Sequence, residues 1–224
     1  MQTTELIVLR HGETDWNRER RVQGQLDTPL NAAGQRQALA AARRLAADAA
    51  TLGLHSNGPG GGAVLISSDL MRCRQTAEPI GVALGLACRL DPRFRERAFG
   101  VLEGRTPAEL QGSHPLYHQR WRERDPDCGL GGGESLRVFA DRIAAALDDL
   151  IASCEHRTVV LVTHGGVLDV LHRRARGLTL EAPRDFEIPN ASLNRLRWSA
   201  KGLEILEWGT VSHWRDALDE IGRR

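Results

Sequence analysis

Apolar positions along this chain fall into two kinds of pattern. Short unbroken runs stand at residues 6–9, 63–66 and 158–163, while longer stretches repeat apolar residues at helical spacing. A run of four to six branched apolar residues without alternation marks a strand buried on both faces, which predicts a parallel sheet covered by helices. Helical character is clearest over 35–50, where alanine and leucine interleave with arginine. It is as clear over 136–151, where Leu136, Phe139, Ile143, Leu147 and Leu150 recur every three or four residues. Asp69 is placed to cap a further helix reaching about Leu84. Thr106-Pro107-Ala108-Glu109 has the form of a capping box with proline in the first turn, and it opens one or two short helices that continue past Trp121. The runs 190–198 and 203–208, parted by Ala200-Lys201-Gly202, predict a hairpin, and a short helix anchored by Trp214 and Leu218 closes the chain. The length suits one domain, residues 1–224, with a small helical cap inserted at about 91–134.

Chemistry collects where two of the strands stop. The first run ends at Arg10-His11-Gly12, and the run 158–163 ends at His164-Gly165-Gly166. Functional groups in open α/β sheets gather at such carboxyl ends. Gly12 suits a close backbone approach to a ligand. The polar, arginine-rich segment 14–28 is long enough to border a site, and Arg72, one turn into its helix, points at the same edge as His11. By contrast, the glycines at 57–62 precede their strand instead of following it, so they form a surface loop and not a nucleotide loop.

Two histidines among arginines suit a phosphate guest. Guanidinium groups bind phosphate oxygens by charge-assisted pairs of bonds, and the helix start at Gly165 offers free N–H groups. A neutral imidazole can attack phosphorus, but expelling an alkoxide needs a proton donor. Glu96, in the aperiodic stretch 91–104, is the candidate, although Glu13 and Glu103 are equivalent to it on physical grounds alone. His114 and His118 have metal-ligand spacing with no carboxylate to join them, so an exposed helix face is expected and no metal is assigned.

Composition narrows the partners. A net charge of +1 is a poor footprint for a nucleic-acid or acidic-membrane binder, which leaves a small molecule as the expected partner. The four cysteines, Cys73, Cys88, Cys128 and Cys154, form no paired motif and suit a reducing compartment. No apolar run approaches a membrane span, and a cytoplasmic location is expected. Tryptophans of the cap and hairpin are candidates either for a homodimer surface or for ordinary core.

Five ordered motifs then bring in a comparison. L-R-H-G-E-T-x-x-N, S-S-D-L-x-R-x-x-Q-T-A, E-x-x-F-G-x-x-E-G, G-G-E-S and T-H-G-G together resemble the histidine phosphatase superfamily, the branch with cofactor-dependent phosphoglycerate mutases and small phosphomonoesterases. The resemblance spans residues 6–194. It implies a three-layer α/β sandwich with a mostly parallel central sheet, phosphoglycerate mutase-like, with the site over the strand ends. It also implies that His11 becomes a phosphohistidine, that Arg10, Arg72 and His164 hold the transferring group, and that Glu96 is the proton donor. Asn17 matches a further phosphate contact, and Gln23 and Gly24 fall where the family lines its substrate pocket. No cofactor or metal is implied. Mutases carry a G-L-N-K stretch after the glutamate, where this chain has Gly104-Arg105-Thr106-Pro107, and a longer proline-rich insertion where it has Asp125-Pro126-Asp127-Cys128. Both departures favour a phosphatase over a mutase. Arg97 adds a cation for a second acidic group on the substrate. A non-catalytic phospholigand-binding module is the remaining alternative.

Overall fold

The computed structural model describes residues 3–54, 62–154 and 157–214. Six strands form one sheet: β1 (Thr4–Arg10), β2 (Ala63–Ser67), β3 (Cys88–Leu90), β4 (Thr158–Thr163), β5 (Leu193–Ser199) and β6 (Gly202–Thr210), in the spatial order β3-β2-β4-β1-β5-β6. The first four are mutually parallel, and β5 and β6 run antiparallel as the expected hairpin. The interior strands read as continuous apolar runs because both faces of the sheet are covered. On one face Leu6, Val8, Val159 and Leu161 pack with Phe139, Ile143 and Leu147 of α7 (Leu136–Ser153) and with Val167, Leu168 and Leu171 of α8 (Gly165–Arg176). On the other, Ile7, Leu9, Val160 and Val162 pack with Ala41 and Leu45 of α2 (Ala32–Ala47) and Ala77 and Ile80 of α4 (Met71–Leu84). Alternate residues of one strand thus serve two separate cores.

The remaining helices are short: α1 (Asp15–Arg18), α3 (Ala49–Leu52), α5 (Pro107–Ser113) and α6 (Pro115–Arg122). The predicted capping box at α5 is present, with the Thr106 side chain accepting from the Glu109 N–H and Glu109 accepting from the Thr106 N–H. A third, smaller core of Val22, Leu102, Leu110 and Leu130, with Phe99, Tyr117 and Trp121 against it, holds this helical pair beside the strand ends. Arg124, just after α6, donates to Asp169 of α8 (2.7 Å), which also accepts from Arg173 (2.9 Å), tying the pair's exit to the sheet layer.

Local readings differ from the structure at several points. Asp69 does not cap α4: its carboxylate takes both forks of Arg95, and the helix starts after Leu70 with no side-chain cap. His118 is buried against Trp121, with ring centroids 6.2 Å apart, and does not lie on an exposed face. The three exposed residues of β3 carry no apolar run to announce a strand. The helix read as 35–50 begins earlier, because the Asn31 side chain accepts from the Gly34 N–H, and ends at Ala47. The loop 57–61 and Leu218 lie outside the described residues. Among the described residues, no helix is long and apolar enough to cross a membrane.

Candidate active site

The site follows from strand order. From β1 the chain crosses to β2 on one side of β4, and from β4 it crosses to β5 on the other side of β1, so the topology switches between β1 and β4. Ligands of open α/β sheets bind outside the strand ends at such a point. Arg10 stands opposite Thr163, the His11 N–H donates to the Thr163 carbonyl (2.9 Å), and the Ser68 N–H donates to the Val162 carbonyl (3.0 Å). His11, Ser68 and His164 are thereby brought to one edge.

Gly12 serves a different purpose from the one its sequence suggests. A Cβ there would lie 2.5 Å from the Gly34 carbonyl oxygen, so what it admits is the backbone of α2 and not a ligand. Its N–H donates to Thr76 Oγ1 (3.0 Å), which fixes the turn carrying His11. Gly12→Ala is therefore expected to cost about 1–3 kcal/mol of stability, in the range of overpacked cores, and to lower turnover by displacing His11. Thermal unfolding and a rate measured on the folded fraction check both effects.

The His11 ring is buried, and its Nδ1–H donates to the Gly12 carbonyl at 2.7 Å, which leaves the Nε2 lone pair free. Burial, together with the charges of Arg72 and Arg10, lowers its pKa well below the ordinary histidine value, so the neutral, nucleophilic form holds at physiological pH. Arg10 donates through Nη1 to the Ile188 carbonyl (2.6 Å), and Arg72 donates through Nη1 and Nη2 to the carbonyls of Leu26 (2.9 Å) and Gly24 (2.7 Å). The Nε of each is buried without an acceptor. A buried unpaired donor is costly, and two of them beside one histidine are what an anion would satisfy. Burial, with Arg184 and Arg72 as cationic neighbours, lowers the Arg10 pKa to about 10, although Glu96 opposes the shift. Arg10 therefore stays charged at neutral pH.

Glu96 accepts from the N–H of Arg97 (2.9 Å) and from the N–H of Gly166 in the first turn of α8 (3.0 Å). Its carbonyl takes Gln25 Nε2 (3.1 Å), and the adjoining loop is pinned by the Arg142–Glu134 pair at 2.7 Å. Asn17 Oδ1 accepts from the Thr14 N–H, the Thr14 hydroxyl and Asn190 Nδ2, each at 3.1 Å, so Asn17 Nδ2 is the atom left to donate. Gln23 is oriented in the same way by Thr28, whose hydroxyl donates to Oε1 at 2.7 Å. Gly24 takes φ +55°, and the space where its Cβ would stand holds the Glu103 carboxylate.

These residues share one cavity of about 1100 Å³, whose wall includes Arg10, His11, Asn17, Gln23, Gly24, Arg72, Glu96, Arg97 and Gly165. His164 is placed differently. It is wholly buried, not part of that wall, with Nε2 2.8 Å from Ser68 Oγ and its ring centroid 5.4 Å from that of His11. Arg97 lines the cavity, but its Nε and Nη2 donate to the carbonyls of Glu134 (2.9 Å) and Cys128 (3.1 Å). Arg20, in the arginine-rich segment expected to border a site, lines the same cavity, and so do Trp121, Arg122 and Arg184, which sequence reasoning did not single out as site residues. Arg184 stands in a stretch with no periodicity and no motif, so no local signal marks it.

The model of the histidine phosphatase superfamily (branch 1) matches residues 6–211. The chain belongs to this superfamily. The histidine phosphatases to which it is similar include a protein named "Probable phosphoglycerate mutase GpmB" from Proteus mirabilis, 39% identical, with 98% of this chain and 99% of the relative covered. Among solved structures, a mycobacterial glucosyl-3-phosphoglycerate phosphatase in complex with VO3 superposes with TM-score 0.77 at 32% identity, covering 92% of this chain and 99% of the other. YhfR of Bacillus stearothermophilus gives TM-score 0.81 at 28% identity, covering 94% and 98%. The sheet with its flanking helices is thus the phosphoglycerate mutase-like fold, and the chain is an enzyme of this superfamily.

Proposed function

We propose that this histidine phosphatase is a metal-independent phosphomonoesterase that acts through a phosphohistidine at His11. The observation that carries the reading is the pair of buried, unpaired Nε–H groups of Arg10 and Arg72 beside an imidazole whose Nδ1–H is already committed to Gly12. A phosphoryl group accepts both donors while His11 Nε2 attacks phosphorus. The P–O bond to the alcohol breaks, and the Glu96 carboxylic acid protonates the leaving oxygen. In the second step the Glu96 carboxylate takes a proton from water, whose oxygen attacks phosphorus and frees His11 and phosphate. The proton returned to Glu96 closes the cycle. Positioning and fixed charge account for most phosphoryl-transfer catalysis, and the two guanidinium groups supply the charge. His164 supports the nucleophile from behind, Asn17 and Gln23 present amide donors, Gly165 keeps the wall bare beside Arg10, and Gly24 makes room for the Glu103 carboxylate while its carbonyl accepts from Arg72.

A mutase reading is favoured by the relatives named as phosphoglycerate mutases, which share the histidine. Against it, Pro107 opens α5 where mutases have a lysine, and Arg105 donates to the Val101 carbonyl instead of facing a ligand. A binding-only module has no need of Glu96. The test is phosphate release from an aryl phosphate in excess chelator, alongside 3-phosphoglycerate with a bisphosphate primer. The expected result is metal-free phosphate release that outpaces isomerisation. Isomerisation outpacing release would establish the mutase instead.

A further inference from the structure

The segment that leads from α8 into β5 does more than connect them. Between Ile188 and Ala191 it runs against the turn that carries the proposed nucleophile. The Ile188 carbonyl accepts from Arg10 Nη1 at 2.6 Å, and the Ala191 N–H donates to the His11 carbonyl at 3.1 Å. Between these two, Asn190 Nδ2 donates to the His11 carbonyl (3.1 Å), the Gly12 carbonyl (3.3 Å) and Asn17 Oδ1 (3.1 Å). Two hydrogens serve three acceptors, so at least one is shared. The surroundings settle which way this amide points, because turned over its oxygen would face three oxygens.

Each of those acceptors belongs to a group that handles phosphate in the proposed reaction. The peptide joining His11 to Gly12 is held at both edges, its N–H by Thr76 Oγ1 (3.0 Å) and its carbonyl by Asn190 and Ala191. The next carbonyl, of Gly12, accepts from His11 Nδ1 at 2.7 Å as well as from Asn190, so its direction sets the rotation of the ring and the line along which Nε2 points. Asn17 is turned by two sources of donors. Thr14, the cap residue of α1, acts locally, whereas Asn190 links the same amide to the His11 turn. Nucleophile and Asn17 are thus both referred to one side chain. Ala191 beside it takes φ +53°, a left-handed conformation uncommon for a residue with a Cβ, and its carbonyl is held by His213 Nε2 at 3.0 Å. Asn190 is not part of the cavity wall, although Ile188 and Pro189 are, so it acts on the chemistry through its neighbours.

We infer that Asn190 is a positioning residue of the active site: its amide fixes the turn that aims His11 and holds the Asn17 amide so that Nδ2 faces the phosphoryl group. The inference rests on His11, Arg10 and Arg72 forming the phosphoryl site. A nucleophile displaced by about 1 Å loses about 10²-fold in rate, which is the scale of effect open to a residue that touches no reacting atom.

The test separates positioning from packing. In the full chain, Asn190→Ala weakens binding of inorganic phosphate, measured by calorimetry, about fivefold and raises KM for an aryl phosphate by a similar factor. It lowers kcat about 10²-fold, so turnover suffers more than binding. Asn17→Ala weakens phosphate binding by itself, and adding Asn190→Ala to it costs little more, because Asn190 reaches phosphate through Asn17. A mere packing defect would not depend on whether Asn17 is present. The wild-type protein supplies a measurement that needs no variant to fold: by NMR, inorganic phosphate shifts the side-chain amide protons of Asn17 and leaves those of Asn190 in place and slow to exchange with water. Losses that multiply in the double variant, an unchanged kcat in Asn190→Ala, or Asn17 protons that ignore phosphate overturn the role. Coupled phosphate binding with no hydrolysis of any ester would sink the phosphatase reading while upholding the positioning role of Asn190.

Discussion

His11→Ala is expected to reduce phosphate release by about 10⁴-fold or more, because it removes the only group proposed to bond to phosphorus. Binding of phosphate survives, since Arg10 and Arg72 keep their own carbonyl partners at Ile188, Leu26 and Gly24. The variant also changes the acid response of the fold. His11 and His164 both have pKa values lowered well below 6.5, chiefly by burial and then by Arg72. The folded state therefore refuses protons that the unfolded chain accepts. Stability from these two groups is fully present above pH 6.5 and is lost as pH falls below it toward their folded values. Removing His11 flattens that loss, so urea unfolding from pH 7 to pH 5 shows a shallower decline in the variant. The same shift keeps the wild-type nucleophile neutral, and the acid limb of kcat/KM assigned to His11 lies well below pH 6.5. An acid limb at 6.5 or above would contradict the assignment.

Glu96→Gln is the second large effect, and it depends on the leaving group. An alkyl phosphate needs its departing oxygen protonated, so kcat falls about 10²–10⁴-fold, the usual contribution of a positioned acid. A nitrophenyl phosphate expels a stable phenolate and loses far less in the first step. Its second step still lacks a base for water, so the variant releases a burst of phenol equal to the enzyme present and then slows. Stopped-flow absorbance resolves that burst. Equal losses for both esters with no burst would remove Glu96 from proton transfer. The amide keeps one oxygen to accept from the N–H of Gly166 or Arg97, so the loop stays in place and the effect reports chemistry.

Much of this site was legible in the sequence, because strand ends are marked by where an apolar run stops. Residues 6–9 and 158–163 locate His11 and His164, and parallel pairing in register brings them together. The capping box at Thr106 was legible because its partners are three residues apart. What escaped depends on distant neighbours. Asp69 looks like a helix cap until Arg95, 26 residues later, takes its carboxylate. Gly12 looks like a ligand contact until Gly34 is seen against it. Whether an arginine is free is the least local property of all. Arg97 stands beside the proposed acid in sequence yet is held by carbonyls 31 and 37 residues away, while Arg184, with no motif around it, lines the cavity with no hydrogen bond or ion pair among the described residues.

The most direct test of the account is to trap the covalent intermediate. The wild-type enzyme is mixed with an aryl phosphate, quenched in alkali within the first turnover, and digested for mass spectrometry under conditions that preserve acid-labile phosphoramidates. The account predicts one phosphorylated histidine, His11, appearing and decaying at rates consistent with turnover and absent from His11→Ala. Full turnover with no labelled histidine, or with the phosphoryl group on another residue, would contradict it.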